Sequence, residues 1–414
     1  MPRWPSRRRP PEWSVAVVGA LAIAEGAVLA LRPRGGLLDA RAVPARDYFG
    51  AAELRRARAF RGPQLALFGV GGLIEAGLLA LLVARPPRRL GGAWRAPRAA
   101  GATAGAALSA LLALAPLPVN AIARRRARDI GLVTQSWGGW AGDVAKSTVI
   151  GALLAAAGGA AAVDLLRRWP RGWWLPGSGL VVVVGAGSLL LSPVLLDPVF
   201  NRFEPLPPGA ARTDVLDLAR RAGVRVGQVY EVDASRRTTA ANAYVTGLGA
   251  TKRVVLFDTL LGNFSRDETR LVVAHELGHV HYSDVPRGLL YVALVAPGAL
   301  LGAALLTRRL APEPARAGRP GPEVLPALAL SLGVVGGAVG MISNVLSRGI
   351  ERRADAFALG LTDAPEPFIS FEQRITLRNV ADPDPPAWQT LLLGSHPSTV
   401  QRIGMARAFQ AGRR

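Results

Sequence analysis

Apolar residues in this chain gather in long blocks, where a soluble fold would alternate them with polar residues along helix stripes and strands. A membrane span needs ~20 mostly apolar residues. Seven blocks meet that measure: Ser14–Leu31, Gln64–Ala84, Ala99–Ala123, Ser147–Leu166, Trp173–Leu195, Leu289–Leu306 and Leu325–Leu346. The third carries Pro116 and Pro118, and the fourth is rich in Ala and Gly, so both are weaker patterns. Glu25, Glu75 and Asp164 fall inside the blocks. Acids in hydrocarbon are costly and usually face a polar interior, which reads as a hydrated cavity between helices. Near a span end an acid can instead snorkel, as Asp164 can beside Arg167.

Two stretches break the pattern, one from about Asn201 to Pro286 and one from about Arg348 to the C-terminus. The two spans between them form a hairpin, so both stretches lie on the same side. Together they make one extramembrane domain of roughly 150 residues, a normal size. The expected organisation is a membrane region over 1–200 with about five spans and a first domain part over 201–286. Spans six and seven follow over 287–347, then a second domain part over 348–414. The Pro-, Arg- and Gly-rich segment Thr307–Glu323 is the turn between the last two spans. The fold class this predicts is mainly α: a polytopic membrane protein capped by a smaller α+β domain.

Chemistry concentrates in the first domain part. Three of the four histidines, His275, His279 and His281, lie within seven residues, and His275-Glu276-x-x-His279 has the form H-E-x-x-H. On a helix, positions i and i+4 share a face and can present two imidazoles to one ion. The local sequence predicts that helix. Ser265-Arg266-Asp267-Glu268 has the capping-box form S-x-x-E, acids follow in the first turn, and Asp284 and Pro286 fit the end. Gly278 is a poor helix former and reads as a site of close contact. Glu276 projects beside the ion, placed to take a proton from an attacking water and pass it to a leaving amine. His281 points elsewhere on the helix.

Composition narrows the metal set. Cysteine is absent, so thiolate sites and disulfides are excluded and any transition metal is held by His, Asp or Glu. A catalytic zinc ion takes three protein ligands and keeps one position open. The pattern H-x-x-G-x-x-H does not follow His279, so an acid is favoured as third ligand. Glu351, directly after the last span, is the best placed. Asp355 lies one turn on and could fix the tautomer of a ligand imidazole. Spacing alone equally allows Glu351 to be an exposed helix acid paired with Arg.

The formal charge of +21 raises nucleic acid as a partner. The pattern argues against it. Lys146 and Lys252 are the only lysines, and the Arg residues sit in short runs between apolar blocks, such as Arg7–Arg9, Arg88–Arg89, Arg124–Arg126 and Arg167–Arg168. Arg at span ends anchors helices at an anionic membrane surface. The run Arg253–Phe257, after a turn at Gly247–Gly249, reads as a strand. As an exposed edge it would pair with a substrate backbone through Arg253 and Val255; as a core strand it would be buried.

At this point the chain resembles the integral-membrane type I CAAX prenyl proteases, a family of gluzincin zinc peptidases. Around Glu351, the residues Ser347, Arg348, Ala354, Asp355, Phe357 and Ala358 match the family pattern S-R-x-x-E-x-x-A-D-x-F-A. Asn242-Ala243-Tyr244 and Lys252–Leu261 are similar to its N-A-Y and K-R-I-V-L-F-D-T-L-L segments. So are Gln135-Ser136-Trp137-Gly138 with Asp143, the run Pro198–Pro207, and Ser395-His396-Pro397 with Arg402. The resemblance implies a seven-helix barrel around a large chamber, capped by the zinc domain. It implies one Zn²⁺ held by His275, His279 and Glu351, with Glu276 as base. It implies Asn242, His396 and Arg402 as substrate and transition-state contacts. On residue type alone, His396 and Arg402 read as surface residues.

The function this predicts is an integral-membrane zinc metalloendopeptidase acting on peptide or protein substrates that are membrane-associated or lipid-modified. A quality-control zinc protease of the membrane is the alternative within that chemistry. Outside it stands a zinc-binding transport or scaffold protein, which would have no need of Glu276. Membrane lipids are expected partners, nucleic acid is not, and the chain is expected to be a monomer. The eight basic residues of Arg32–Arg61 favour a cytoplasmic zinc domain, and Arg3, Arg7, Arg8 and Arg9 oppose it.

Overall fold

The computed structural model describes residues 11–87, 96–247, 252–311 and 320–413. Arg7–Arg9, Arg88–Arg89, most of the Gly247–Gly249 turn and the middle of Thr307–Glu323 lie outside the described residues. The membrane half holds α1 (Glu12–Leu31), α2 (Ala51–Ala84), α3 (Pro97–Leu114), α4 (Leu117–Asp129), α5 (Trp137–Arg168) and α6 (Trp174–Leu195). After it come α7 (Asp197–Phe200), α8 (Ala210–Arg221), α9 (Asp258–Leu261) and α10 (Arg266–His281). The chain then forms α11 (Asp284–Leu310), α12 (Leu325–Thr362), α13 (Pro365–Arg378), α14 (Ala387–Leu393) and α15 (Thr399–Ala411).

Among the described residues, six helical stretches are long and apolar enough to cross a membrane: α1, α2, α5, α6, α11 and the stretch containing α12. The pair α3 and α4 passes the same measure when taken together, as one broken span or a re-entrant loop, and its 40° bend falls beside Pro116 and Pro118. Proline removes a backbone donor and crowds the preceding turn, which explains the break. The chain is a multi-pass membrane protein. α12 is continuous over 38 residues, about 57 Å at 1.5 Å per residue. It therefore carries the last span and the Glu351 segment as one rigid rod, and the expected boundary at residue 348 falls inside it.

The membrane helices pack in a closed cycle: α3 on α5, α5 on α6, α6 on α11, α11 on α12, and α12 back on α3. α1 packs against α11 and α12, and α2 against α12 and α4. A helix in such a wall touches neighbours along its edges and leaves its inner and outer faces open. Accordingly α2 buries only Ala57, Phe60, Gly71 and Leu79, and α6 only Gly177, Ser178 and Pro193. Asp164 pairs with Arg98 at 2.7 Å and Arg168 at 3.0 Å, and Arg167 donates to the Pro320 carbonyl. Glu25 and Glu75 are exposed.

α3 and α5 meet backbone to backbone at Gly101, Gly105 and Gly159. A Cβ on Gly101 would lie 2.7 Å from the Gly159 carbonyl oxygen and 2.8 Å from Val163 Cγ2. Gly101→Leu is expected to overpack this contact by about 1–3 kcal/mol. Thermal unfolding in detergent checks this, with Gly179→Leu, where the added side chain meets open space, as the control. Equal midpoints for the two variants would refute the close packing.

The extramembrane domain carries a four-stranded sheet of β1 (Phe203–Pro205), β2 (Gln228–Val232), β3 (Ala243–Thr246) and β4 (Arg253–Phe257) in the order β1-β2-β4-β3. β2 runs parallel to β4, and β1 and β3 are antiparallel to their neighbours. The edge-strand expectation for Arg253–Phe257 is corrected: β4 is paired on both sides, and Val254, Val255 and Leu256 are fully buried. A continuous apolar run is what a strand covered on both faces requires. Arg253 lies over the rings of Phe203 and Tyr230 and donates to the Pro193 carbonyl. Arg253 and Val255 therefore lie on an inner strand, and the edges of the sheet are β1 and β3. The sheet, α8 and α10 share one core through Val215, Leu218, Val254, Leu256, Val273 and Leu277.

Candidate metal centre

The site is built on two helices that approach closely. α10 begins at the capping box: Glu268 Oε2 accepts from the Ser265 N–H at 2.7 Å, and Ser265 Oγ accepts from the Glu268 N–H at 3.3 Å. Glu268 is also held by Ser370 at 2.6 Å and Arg374 at 2.5 Å. Leu271, Val273, Ala274 and Leu277 are buried, which fixes the rotation of the helix and turns His275 and His279 to its neighbour α12. Gly278 permits the approach, since a Cβ there would lie 3.3 Å from Ala354 Cα and 3.2 Å from Phe357 Cδ1.

That contact delivers Glu351 to the two imidazoles. His275 Nε2 lies 3.2 Å from His279 Nε2 and 3.2 Å from Glu351 Oε2, and His279 Nε2 lies 3.6 Å from Glu351 Oε1. All three donors fall within 4.8 Å of one another. Tetrahedral ligands at 2.0–2.1 Å from an ion stand roughly 3.3 Å apart, so these separations fit one divalent metal. Glu351 Oε2 is buried with no hydrogen-bond partner among the described residues, an orphaned acceptor facing two ring nitrogens. The surroundings also call for positive charge. Burial alone disfavours a charged His275, yet the carboxylates of Asp355 and Glu351 push its pKa up to about 10. The donor set therefore fits a metal ion by distance, by orientation and by charge.

Each imidazole is oriented by its other nitrogen. His275 Nδ1 bonds Asp355 Oδ1 at 2.8 Å, as the sequence anticipated. His279 Nδ1 bonds Asp284 Oδ2 at 3.1 Å. Asp284 had been read only as a helix end. Ser283, in left-handed backbone at φ 56°, turns the chain so that Asp284 faces back to His279, and Arg287 and Arg353 also donate to it. The available signal was that a second ligand imidazole also needs an acceptor.

Arg402 is held by two buried acids of the domain. Its guanidinium grips Asp355 through Nε to Oδ2 at 2.8 Å and Nη2 to Oδ1 at 2.5 Å, and Nη1 lies 2.7 Å from Glu372 Oε1. It anchors the carboxylate that orients His275. Glu372 was missed, and its only signal was an acid in the apolar stripe of Phe368, Ile369 and Phe371. Burial pushes Glu372 up to about 7, against the pull of Arg402.

Glu276 borders a cavity of about 130 Å³ that also touches Asn242, His275, His396 and Arg402. Burial raises its pKa above the usual Glu range, and the adjacent imidazoles only partly oppose this. His396 Nε2 lies 3.4 Å from Glu351 Oε2, so the C-terminal segment places this histidine at the donor cluster. Asn242 is exposed at the start of β3. His281 points away, bonded to the Ala222 carbonyl and packed on Phe357.

A His-His-Glu donor set with an acid beside it, on a multi-pass helical frame, defines a membrane metallopeptidase. Residues 207–410 match the model of Peptidase family M48. The chain is 32% identical over 300 residues to the uncharacterized metalloprotease YhfN of Bacillus subtilis, covering 72% of this chain and 70% of that protein. It is 43% identical over 98 residues to CAAX prenyl protease 1 of Saccharomyces cerevisiae, covering 23% of this chain and 22% of the yeast protein. The crystal structure of S. mikatae Ste24p superposes with a TM-score of 0.70 at 19% identity, covering 96% of this chain and all of that one. The chain belongs to peptidase family M48. It is accordingly a metalloendopeptidase whose substrates are peptides or proteins.

Proposed function

We propose that the chain hydrolyses peptide bonds with one Zn²⁺ held by His275, His279 and Glu351. Bound there, the ion supplies a Lewis acid for the scissile carbonyl and makes a nearby water acidic. Glu276 takes the water proton and delivers it to the departing amine nitrogen. His396 donates a hydrogen bond to the oxygen on which charge develops. Asn242 and the β3 edge align the substrate backbone along α10. The cavity beside Glu276, walled by Leu260, Leu271, Val272, Phe368, Phe371 and Ile375, takes an apolar side chain next to the cleaved bond. Arg402 and Asp355 hold His275 in place.

The observation that carries this reading is Glu276 standing beside the three metal donors and opening onto that cavity. A scaffold that merely stored zinc would need neither. The test is cleavage of an internally quenched peptide by the purified protein in nanodiscs, abolished by a chelator and restored by zinc; cleavage that survives chelation would end the proposal. A farnesylated peptide compared with its plain form decides whether a lipid group on the substrate is used. Asn242→Ala is expected to lower kcat/KM about tenfold, the worth of one or two hydrogen bonds, mostly through KM. Unchanged kinetics would remove Asn242 from the substrate path.

We place the zinc domain on the cytoplasmic side. The basic segment Arg32–Arg61 packs on that domain, with the Arg41 N–H donating to the Gly404 carbonyl and Arg61 to Val380. Because the chain has no cysteine, Ser398→Cys gives a single label site. Labelling by an impermeant maleimide from the outside of intact cells would reverse the assignment.

A further inference from the structure

The segment leading into Asn242 is tied to the membrane half of the molecule. Asp143, in the second turn of α5, accepts from Arg237 Nε at 3.0 Å and Nη2 at 3.2 Å, and from Gln135 Nε2 at 2.5 Å. Arg237 Nη1 reaches Asn201 Oδ1 at 2.8 Å. Both side chains of the pair are largely buried, at 21% exposure each. Around them the loop between α4 and α5 lies against residues 237–239 through one antiparallel bridge and its flanking hydrogen bonds. Val133 bridges Thr238, the Thr134 N–H donates to the Arg237 carbonyl at 3.1 Å, and the Thr239 N–H donates to the Leu132 carbonyl at 3.1 Å. The next residues are fixed from two other elements. Arg378 Nε on α13 donates to the Thr239 carbonyl at 2.5 Å, and Thr259 Oγ1 on α9 donates to the Ala240 carbonyl at 2.8 Å. The Asn242 carbonyl then accepts from the Phe257 N–H of β4 at 3.1 Å.

The position of Asn242, and with it the start of the β3 edge, is therefore set by a chain of contacts that begins on a membrane helix. We infer that Asp143 and Arg237 are positioning residues: through the segment 237–242 they hold Asn242 and β3 in line with the metal donors, so that a membrane helix sets the register of the bound substrate. The inference rests on the proposed role of Asn242 and β3 as substrate contacts. Neither residue of the pair belongs to the donor network of His275, His279 and Glu351. Its loss acts on substrate alignment and leaves the metal in place. The bidentate geometry also makes the pair demanding, because a lysine at 237 cannot meet both Asp143 oxygens and Asn201 at once.

The test uses the full chain in nanodiscs with a quenched peptide. Asp143→Asn and Arg237→Lys are each expected to raise KM about tenfold, with kcat within about twofold and zinc content unchanged. In an Asn242→Ala background the KM effect of Asp143→Asn should vanish, because the contact it supports is gone. Should Asp143→Asn fail to fold, Arg237→Lys reads the same contact with both charges kept. Three results overturn the inference: unchanged KM in both variants, KM effects that add fully to Asn242→Ala, or a fall in kcat accompanied by loss of zinc. If Asn242→Ala is itself silent, the substrate path is wrong and the positioning role of Asp143 and Arg237 falls with it. If Asn242→Ala raises KM but Asp143→Asn and Arg237→Lys do not, only that positioning role is refuted.

Discussion

Glu276→Gln is expected to lower kcat by roughly 10³-fold while metal content stays unchanged, within the 10²- to 10⁴-fold range of a lost general base. The amide keeps the shape and occupancy of the carboxylate but cannot accept the proton. His275, His279 and Glu351 keep their places, because Glu276 is not among the closely spaced donors. The pH profile of the unmodified protein carries the same information. Burial raises the Glu276 pKa, so the base is protonated and inactive below that pKa and active above it. The acid limb of kcat/KM that reports this group should disappear in Glu276→Gln. Full activity in the variant would assign the base elsewhere; a fall that tracks metal loss would make Glu276 a structural group.

Asp355→Ala is expected to be the most damaging change outside the donor set. Asp355 is fully buried and stands between His275 and Arg402. Its removal strands a buried guanidinium, at a cost of about 3–5 kcal/mol for breaking a buried ion pair. It also frees the His275 ring, and losing such a partner typically weakens metal binding by 10–100-fold. Glu372 remains to hold one side of Arg402, which places the stability loss toward the lower end. Chemical denaturation and a competitive chelator titration read the two effects separately. The double variant Asp355→Ala, Arg402→Met should regain only part of the stability and none of the metal affinity, because it removes the stranded guanidinium but leaves Glu372 buried without its partner and His275 unoriented. A single variant as stable as the unmodified protein would refute the buried pair.

Much of this was legible in the chain. Long apolar blocks gave the spans because a bilayer imposes one length on every helix that crosses it. The capping box and the i, i+4 histidines gave α10 because both are local signals with fixed spacing. Gly278 read as a close-contact position, and it packs against Ala354 and Phe357. What the sequence could not reveal lies in long-range assembly. Val254–Leu256 looks the same as a lone apolar strand and as the centre of a sheet, so β4 was open to the wrong reading until its pairing with β2 and β3 was seen. Arg402 has no local mark of its partners, which come from α12 and α13 and meet only in the folded core. Asp284 escaped because its contact depends on a left-handed turn at Ser283, a conformation that a serine does not announce.

X-ray absorption at the zinc edge, combined with metal stoichiometry on the purified chain, tests the donor set most directly. One zinc per chain is expected, with two imidazole nitrogens near 2.0–2.1 Å and a carboxylate oxygen near 2.0–2.2 Å. In Glu351→Ala the oxygen scatterer should be lost and the metal should leave under mild chelation. A chain that binds no stoichiometric metal, or a scattering shell unaltered by Glu351→Ala, would contradict the site.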